Sequence, residues 1–191
     1  MEKLYLSANQ LLDDGFELGF RILDSGFRPD LLLAIWRGGT PVAVAIQELF
    51  SYHQLPHHHF PIRTRHYSGI DSRHDEVVVE GLDAALAGIE APRRILIVDD
   101  VHDTGLSIDR VIAELDTHFA AAPPDIRVAT PYFKPGRNRT RRIPDYYLYA
   151  TEQWIVFPHE LVGLDAAEII ANKTASPALA RHLARPDTKK P

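Results

Sequence analysis

The 191-residue sequence contains no cysteine, which excludes disulfides and thiolate metal sites outright. That absence agrees with a cytosolic protein without proving one. No apolar run approaches the roughly 20 residues a membrane-spanning helix needs. No signal-peptide pattern follows Met1 either, so the expected location is the cytoplasm, with no membrane partner. Positive charge is scarce as well: 21 Lys and Arg stand against 26 Asp and Glu, a formal net charge of −5. This balance argues against nucleic acid as a partner, and any anionic ligand has to be held by local positive groups. Apolar residues are plentiful at 45%, enough for the core of one ordinary domain spanning 1–191.

Leu11, Leu12, Phe16, Phe20 and Leu23 fall on one helical face and predict an amphipathic helix near the N-terminus. DLLLAI, residues 30–35, predicts a buried strand running into Arg37-Gly38-Gly39. Thr40-Pro41 then predicts a helix start with proline at its first position, continued by VAVAIQELF. Residues 53–75 are polar and histidine-rich without a period; they predict a strand around 60–63 and then a long mobile loop of the kind that serves as a lid. ILIV, residues 95–98, predicts the next strand, and Ile108, Val111, Ile112 and Leu115 the helix after it. IRVATPYF and YYLYA predict two more strands, and residues 177–191 a frayed tail. Strands alternating with helices make an α/β fold: a mostly parallel, twisted sheet with helices on both faces. Ligands in such sheets bind beyond the carboxyl ends of the strands, where WRGGT and DDVHDTGLS lie.

The stretch ILIVDDVHDTGLS, residues 95–107, places Asp99, Asp100 and Asp103 directly after a strand and before a helix. A turn rich in Thr, Gly and Ser at a helix N-terminus presents free backbone N–H groups and hydroxyls, which suit phosphate. The helix dipole supplies only about 0.3–1 kcal/mol, whereas micromolar binding needs about 8 kcal/mol, so further anchors are required. Two carboxylates beside a phosphate make sense if they face sugar hydroxyls or a divalent cation. The plainer alternative is that Asp99 and Asp100 cap a helix. ILIVDD also opens receiver domains, but the nearest candidate for their phosphorylated aspartate, Asp145, sits in RRIPDYY rather than at the end of an apolar strand.

This stretch resembles the ribosyl-phosphate signature of type I phosphoribosyltransferases, with Ser107 where Thr is commoner. The resemblance runs from about residue 31 to 160, and it implies a small hood, built from the N-terminal segment and residues 151–175, on a core of about 28–150. It implies that Asp99 and Asp100 hold the ribose of phosphoribosyl pyrophosphate, and that Asp103, Thr104, Gly105, Leu106 and Ser107 cradle the 5′-phosphate. Arg37, Gly38 and Gly39 are similar to the pyrophosphate loop; Trp36, where a small residue is usual, is ascribed to local packing. YFKPGRNR resembles the lysine–proline loop of the purine branch. There Lys134 would donate to a purine O6, and one of Arg137 or Arg139 would reach pyrophosphate, the choice staying open. A lysine at a strand end is otherwise plain surface charge. TEQWIVFPHE resembles the base-stacking segment, with Trp154 on the purine face and the backbone near Ile155 at the base edge; an isolated tryptophan would otherwise be core. His159 stands in that segment where an aromatic is familiar, and Glu160 supplies the acid.

The implied activity is transfer of ribose 5-phosphate to N9 of a hypoxanthine-, guanine- or xanthine-type base. Mg²⁺ would be held by Asp99, Asp100 and Glu160, Asp103 would handle the proton, and the expected assembly is a homodimer or homotetramer. The lid would be residues 64–78, with Tyr67-Ser68 reversed from the usual order. Alternatives are a non-catalytic phosphoribosyl-pyrophosphate sensor, which the short segment before the first strand disfavours, and an enzyme for another base. The histidines at 53, 57, 58 and 59 are adjacent in a polar segment and suit tetrahedral zinc poorly.

Overall fold

The structure is a computed structural model that describes residues 2–67, 76–89, 92–173 and 176–183. In chain order, β1 (Lys3–Tyr5) and α1 (Ala8–Asp24) precede β2 (Leu31–Trp36), α2 (Gly39–Tyr52), β3 (His58–Tyr67), β4 (Glu76–Glu80) and α3 (Leu82–Leu86). Then come β5 (Arg94–Val98), β6 (Val101–His102), α4 (Leu106–His118), β7 (Asp125–Ala129), β8 (Tyr132–Phe133) and β9 (Tyr149–Ala150). The chain closes with β10 (Trp154–Val156), α5 (Ala166–Asn172) and α6 (Pro177–Leu183). No described helix is long and apolar enough to cross a membrane.

The chain divides into two compact units, Leu12–Glu152 and Met1–Leu11 with Gln153–Pro191. The larger holds a five-stranded sheet in the order β4-β3-β2-β5-β7, parallel except for the β3–β4 pair. Leu31–Ile35 and Ile95–Val98 are buried throughout, as expected of strands covered on both faces. One face packs Leu31, Leu33, Ile95 and Ile97 against Leu82, Ile108, Val111 and Leu115 of α3 and α4. α1 and α2 approach closely, since a side-chain carbon on Gly15 or Gly19 would lie 2.8 Å from Ala45 or Leu49.

From β2 the chain crosses through α2 to β3 on one side; from β5 it crosses through α4 to β7 on the other. The direction of winding reverses between β2 and β5, the switch point where an open α/β sheet leaves a crevice. The register pairs Ala34 with Val98, the last residue of β5, two residues before β2 ends at Trp36, so the loops after them emerge close together.

The smaller unit pairs β1 with β10 in parallel and buries Val156, Leu164 and Ile169. Its α5 opens with a reciprocal cap, Asp165 accepting from the Glu168 amide and Glu168 from the Asp165 amide, a device of helix starts. Lys3 pairs with Glu168.

Several elements differ from the sequence expectation. The supposed long loop is largely a hairpin: β3 runs to Tyr67 and β4 starts at Glu76, so of the lid positions only 68–75 lie outside the described residues. Backbone pairing rather than apolar periodicity makes this edge, where Arg63 and Arg65 face Glu80 at 3.6 and 3.2 Å. IRVATPYF is two strands in two sheets, divided at Thr130-Pro131, because proline has no N–H for a ladder. Of YYLYA only Tyr149–Ala150 forms a strand. Within the supposed frayed tail, Pro177–Leu183 is helical, with Leu179 and Leu183 packed on the smaller unit's core.

Candidate phosphoribosyl site

The acid pair closes β5. Asp100 is 9% exposed, and its backbone amide donates to Asp99 Oδ1 at 2.9 Å. Asp99 is held well above the usual carboxylate range, first by burial and then by the neighbouring Asp100 charge. Neither caps a helix: β6 follows them, and α4 begins only at Leu106. Their positions instead match a ligand that brings hydroxyl donors or positive charge.

The loop after β2 leans on this pair. A side-chain carbon at Gly38 would collide with the Asp100 carboxylate, and one at Gly39 would lie 2.7 Å from Asp99 Cα. Two glycines are therefore dictated by protein as well as by any ligand. Arg37 precedes them, exposed and joined to Trp36 by a cis peptide bond. Trp36 is 55% exposed, so local packing does not explain it.

β6 and β8 set the next contact. His102 pairs in parallel with Phe133 in a second, three-stranded sheet of order β6-β8-β9, so the residues that follow, Asp103 and Lys134, leave it side by side. Lys134 Nζ lies 3.5 Å from Asp103 Oδ2, and Arg137 Nε 2.6 Å from Asp103 Oδ1. Lys134 is only 6% exposed. The basic loop is fastened to the acidic one through its backbone, the Lys134 amide donating to His102 O and the Arg139 amide to Thr104 O, both at 2.9 Å. Gly136 N donates to Glu152 Oε1 at 2.7 Å, holding the far side of the loop.

Gly105 has φ +78° and caps the start of α4, a left-handed conformation that favours glycine. A side-chain carbon there would lie 2.7 Å from both His102 Nε2 and Thr140 Oγ1. Beside it is a cavity of about 280 Å³ lined by Asp99, His102, Asp103, Thr104, Ser107 and Arg137, among others. That volume is near the lower end of small-ligand pockets, roughly 300–1,000 Å³, a scale for a sugar phosphate. A hollow of about 180 Å³ between α2 and β3 is mostly apolar and gathers no charged groups. Burial lowers the His102 pKa, and among the described residues neither ring nitrogen has a partner of hydrogen-bonding geometry, although Asn138 lies close enough to favour the charged ring.

Residues 5–165 match the family model for the phosphoribosyl transferase domain. The chain belongs to the phosphoribosyltransferase family. Among solved structures, it is similar to a purine phosphoribosyltransferase from Pyrococcus horikoshii Ot3, with 31% identity over 86% of this chain and 99% of that chain, at a TM-score of 0.66. A hypothetical protein from Neisseria gonorrhoeae with bound ppGpp shares the fold at 18% identity, covering 91% of this chain and 97% of that one, TM-score 0.66. The xanthine-guanine-hypoxanthine phosphoribosyltransferase of Helicobacter pylori does so at 20% identity, covering 82% and 90%, TM-score 0.60. No curated protein matches the chain.

In this phosphoribosyltransferase, the larger unit gathers Asp99, Asp100, Asp103, Thr104 and Ser107 around one loop, with Gly38 and Gly39 against the acid pair, Arg37 exposed just before them and Lys134 against Asp103. Leu106 is the first residue of α4. The smaller unit holds Trp154, Ile155 and Glu160. Trp154 is 51% exposed while Ile155 and Val156 are buried, so Trp154 is no core residue. Glu160 Oε2 accepts from the Phe157 amide at 3.2 Å, closing a turn. Asp145 is occupied with the Val128 amide at 2.9 Å. His57 Nδ1 lies 2.8 Å from Leu55 O, and its ring meets Phe50 edge-on, a packing role. His102 was not singled out by sequence, its place inside the motif being the only hint, and Arg137 was named only as one of two candidates to reach pyrophosphate.

Proposed function

We propose that this phosphoribosyltransferase transfers ribose 5-phosphate from phosphoribosyl pyrophosphate to N9 of a 6-oxopurine and releases pyrophosphate. The buried Lys134 ammonium beside Asp103 carries the proposal. Lysine is almost never this buried unless it is paired, as Lys134 is with Asp103, and its three donors suit an exocyclic carbonyl while mismatching an amino group. The half-exposed Trp154 supports a stacked base, a contact worth roughly 1–3 kcal/mol by analogy with nucleobase stacking.

In the proposed reaction, the C1′–oxygen bond to pyrophosphate breaks as the bond from N9 forms, and positive charge develops on the sugar. Asp99 and Asp100 orient the ribose hydroxyls. Arg37 and the amides of Gly38 and Gly39 hold the departing pyrophosphate, with the planar guanidinium fork suited to phosphate oxygens. Asp103 takes or steers the proton at the purine's N7 side. Small hard cations keep several waters and need only one or two protein carboxylates beside substrate phosphate. Asp99 and Asp100 fit that need, because a cation would relieve the repulsion between them. Asp99 and Asp100 would hold Mg²⁺, which would supply charge neutralisation for the departing pyrophosphate.

The test is a nucleotide-forming assay with phosphoribosyl pyrophosphate, Mg²⁺ and five bases: hypoxanthine, guanine, xanthine, adenine and uracil. Turnover confined to 6-oxopurines is expected. Turnover of adenine or uracil alone contradicts the assignment of Lys134, and binding without turnover of any base points to a sensor.

A further inference from the structure

We infer that Arg137 is a phosphate ligand of the 280 Å³ cavity, held in reserve on Asp103 until the 5′-phosphate arrives. The inference rests on the phosphoribosyl reading of that cavity. It also gives a task to one arginine of a run, 134–142, in which five basic side chains compete for attention.

Three observations single out Arg137. It lines the same cavity as Thr104, Gly105 and Ser107, whereas the other arginines of the run do not. Its Nε is in ionic contact with Asp103 Oδ1 at 2.6 Å, yet that buried oxygen accepts no hydrogen bond of acceptable direction among the described residues. The pair is thus a contact of charges with the N–H aimed elsewhere, a weak use of a guanidinium whose strength lies in directed, forked bonds. Finally, the loop carrying Arg137 is fastened to the phosphate loop at both sides, through the Lys134 amide to His102 O and the Arg139 amide to Thr104 O. The Arg137 side chain, 45% exposed, can therefore swing while its backbone stays in place.

A phosphomonoester dianion in the cavity offers oxygens that accept from two N–H groups at once. Arg137 then moves from the carboxylate to the phosphate, and Asp103 is left with Lys134 as its single cation. Phosphate occupancy and the setting of Asp103 become linked through one side chain. Ligands without the phosphate leave Arg137 where it is, so the arginine contributes selectivity for phosphorylated sugars.

The experiment compares wild type, R137Q and R137K in calorimetric titrations with ribose 5-phosphate and with ribose, alongside KM for phosphoribosyl pyrophosphate and for the base. R137Q is expected to weaken ribose 5-phosphate binding ten- to a hundredfold, leave ribose binding within twofold, and raise KM for phosphoribosyl pyrophosphate far more than KM for the base. R137K, which keeps charge but loses the fork, falls between the two and carries the test if R137Q does not fold. A folded R137Q or R137K that binds ribose 5-phosphate within twofold of wild type overturns the inference alone. A wild-type protein that binds neither ribose 5-phosphate nor phosphoribosyl pyrophosphate overturns the phosphoribosyl reading with it.

Discussion

Gly38 and Asp100 lie so close that any side chain at position 38 would occupy the space of the Asp100 carboxylate. The Gly38–Gly39 loop and the acid pair are in this sense one object, built beyond the ends of the neighbouring strands β2 and β5. Replacing Gly38 by alanine forces one of them to move. Overpacking of this kind costs roughly 1–3 kcal/mol, so G38A is expected to lower the thermal midpoint. It should also weaken phosphoribosyl pyrophosphate binding at least tenfold. Thermal unfolding with and without the ligand checks both; a variant matching wild type in each would show that the contact is not needed.

A second glycine makes a similar demand for a different reason. Gly105 has φ +78°, which costs a non-glycine residue roughly 1–2 kcal/mol. Its neighbours His102 and Thr140 also leave no room for a methyl group. G105A is expected to lose at least that much stability by chemical denaturation and to bind ribose 5-phosphate more weakly. Full binding by G105A would place the phosphate elsewhere.

The parts of this arrangement differ in how far sequence discloses them. The loop after β5 is contiguous, so strand, acids, turn and helix could be read in order from ILIVDDVHDTGLS. Leu31–Ile35 and Ile95–Val98 were equally plain, being apolar runs buried on both faces. The β3–β4 hairpin was not, because HHFPIRTRHY pairs through its backbone with β2 on one side and β4 on the other and carries no apolar alternation. Pro131 was visible, yet the division of IRVATPYF between two sheets depends on Tyr132–Phe133 pairing with Val101–His102, a contact between distant segments. The same pairing places Lys134 beside Asp103, 31 residues away. The basic run could be narrowed to Arg137 or Arg139 but not to one of them, because composition cannot say which member lines the cavity.

Lys134 separates the proposed substrate class from its relatives. A hydrogen bond from a charged group contributes about 1.5–3 kcal/mol. K134Q is therefore expected to reduce kcat/KM for the preferred 6-oxopurine by roughly ten- to a hundredfold. An amide accepts as well as donates, so discrimination against adenine should narrow. Steady-state kinetics with hypoxanthine and adenine read both effects. Unchanged kinetics with hypoxanthine would free Lys134 from the base.

Asp14 of α1 supplies a prediction about stability. It is buried and accepts from Tyr132 Oη at 3.0 Å and Tyr149 Oη at 3.1 Å. Burial raises its pKa, with the two hydroxyls pulling partly the other way. Below the ordinary aspartate value of about 3.9, the group is protonated in both states and its contribution is complete. As pH rises from there through the raised folded value, the unfolded chain releases its proton first and stability falls. Denaturant unfolding across this window should show that decline, and D14N should flatten it. Y132F leaves the buried carboxylate one donor short and is expected to cost about 1–3 kcal/mol. A D14N profile parallel to wild type would mean that Asp14 titrates as it does in the unfolded chain.

The most direct test of the central claim is the rate of pyrophosphate release from phosphoribosyl pyrophosphate with Mg²⁺, measured with and without a 6-oxopurine, for wild type and D103N. The account predicts release that depends on the base. It also predicts a loss of about 100- to 10,000-fold in D103N, the range for removing a positioned proton acceptor. Tight binding of phosphoribosyl pyrophosphate with no base-dependent release in the wild type would contradict it and make the protein a sensor of that metabolite.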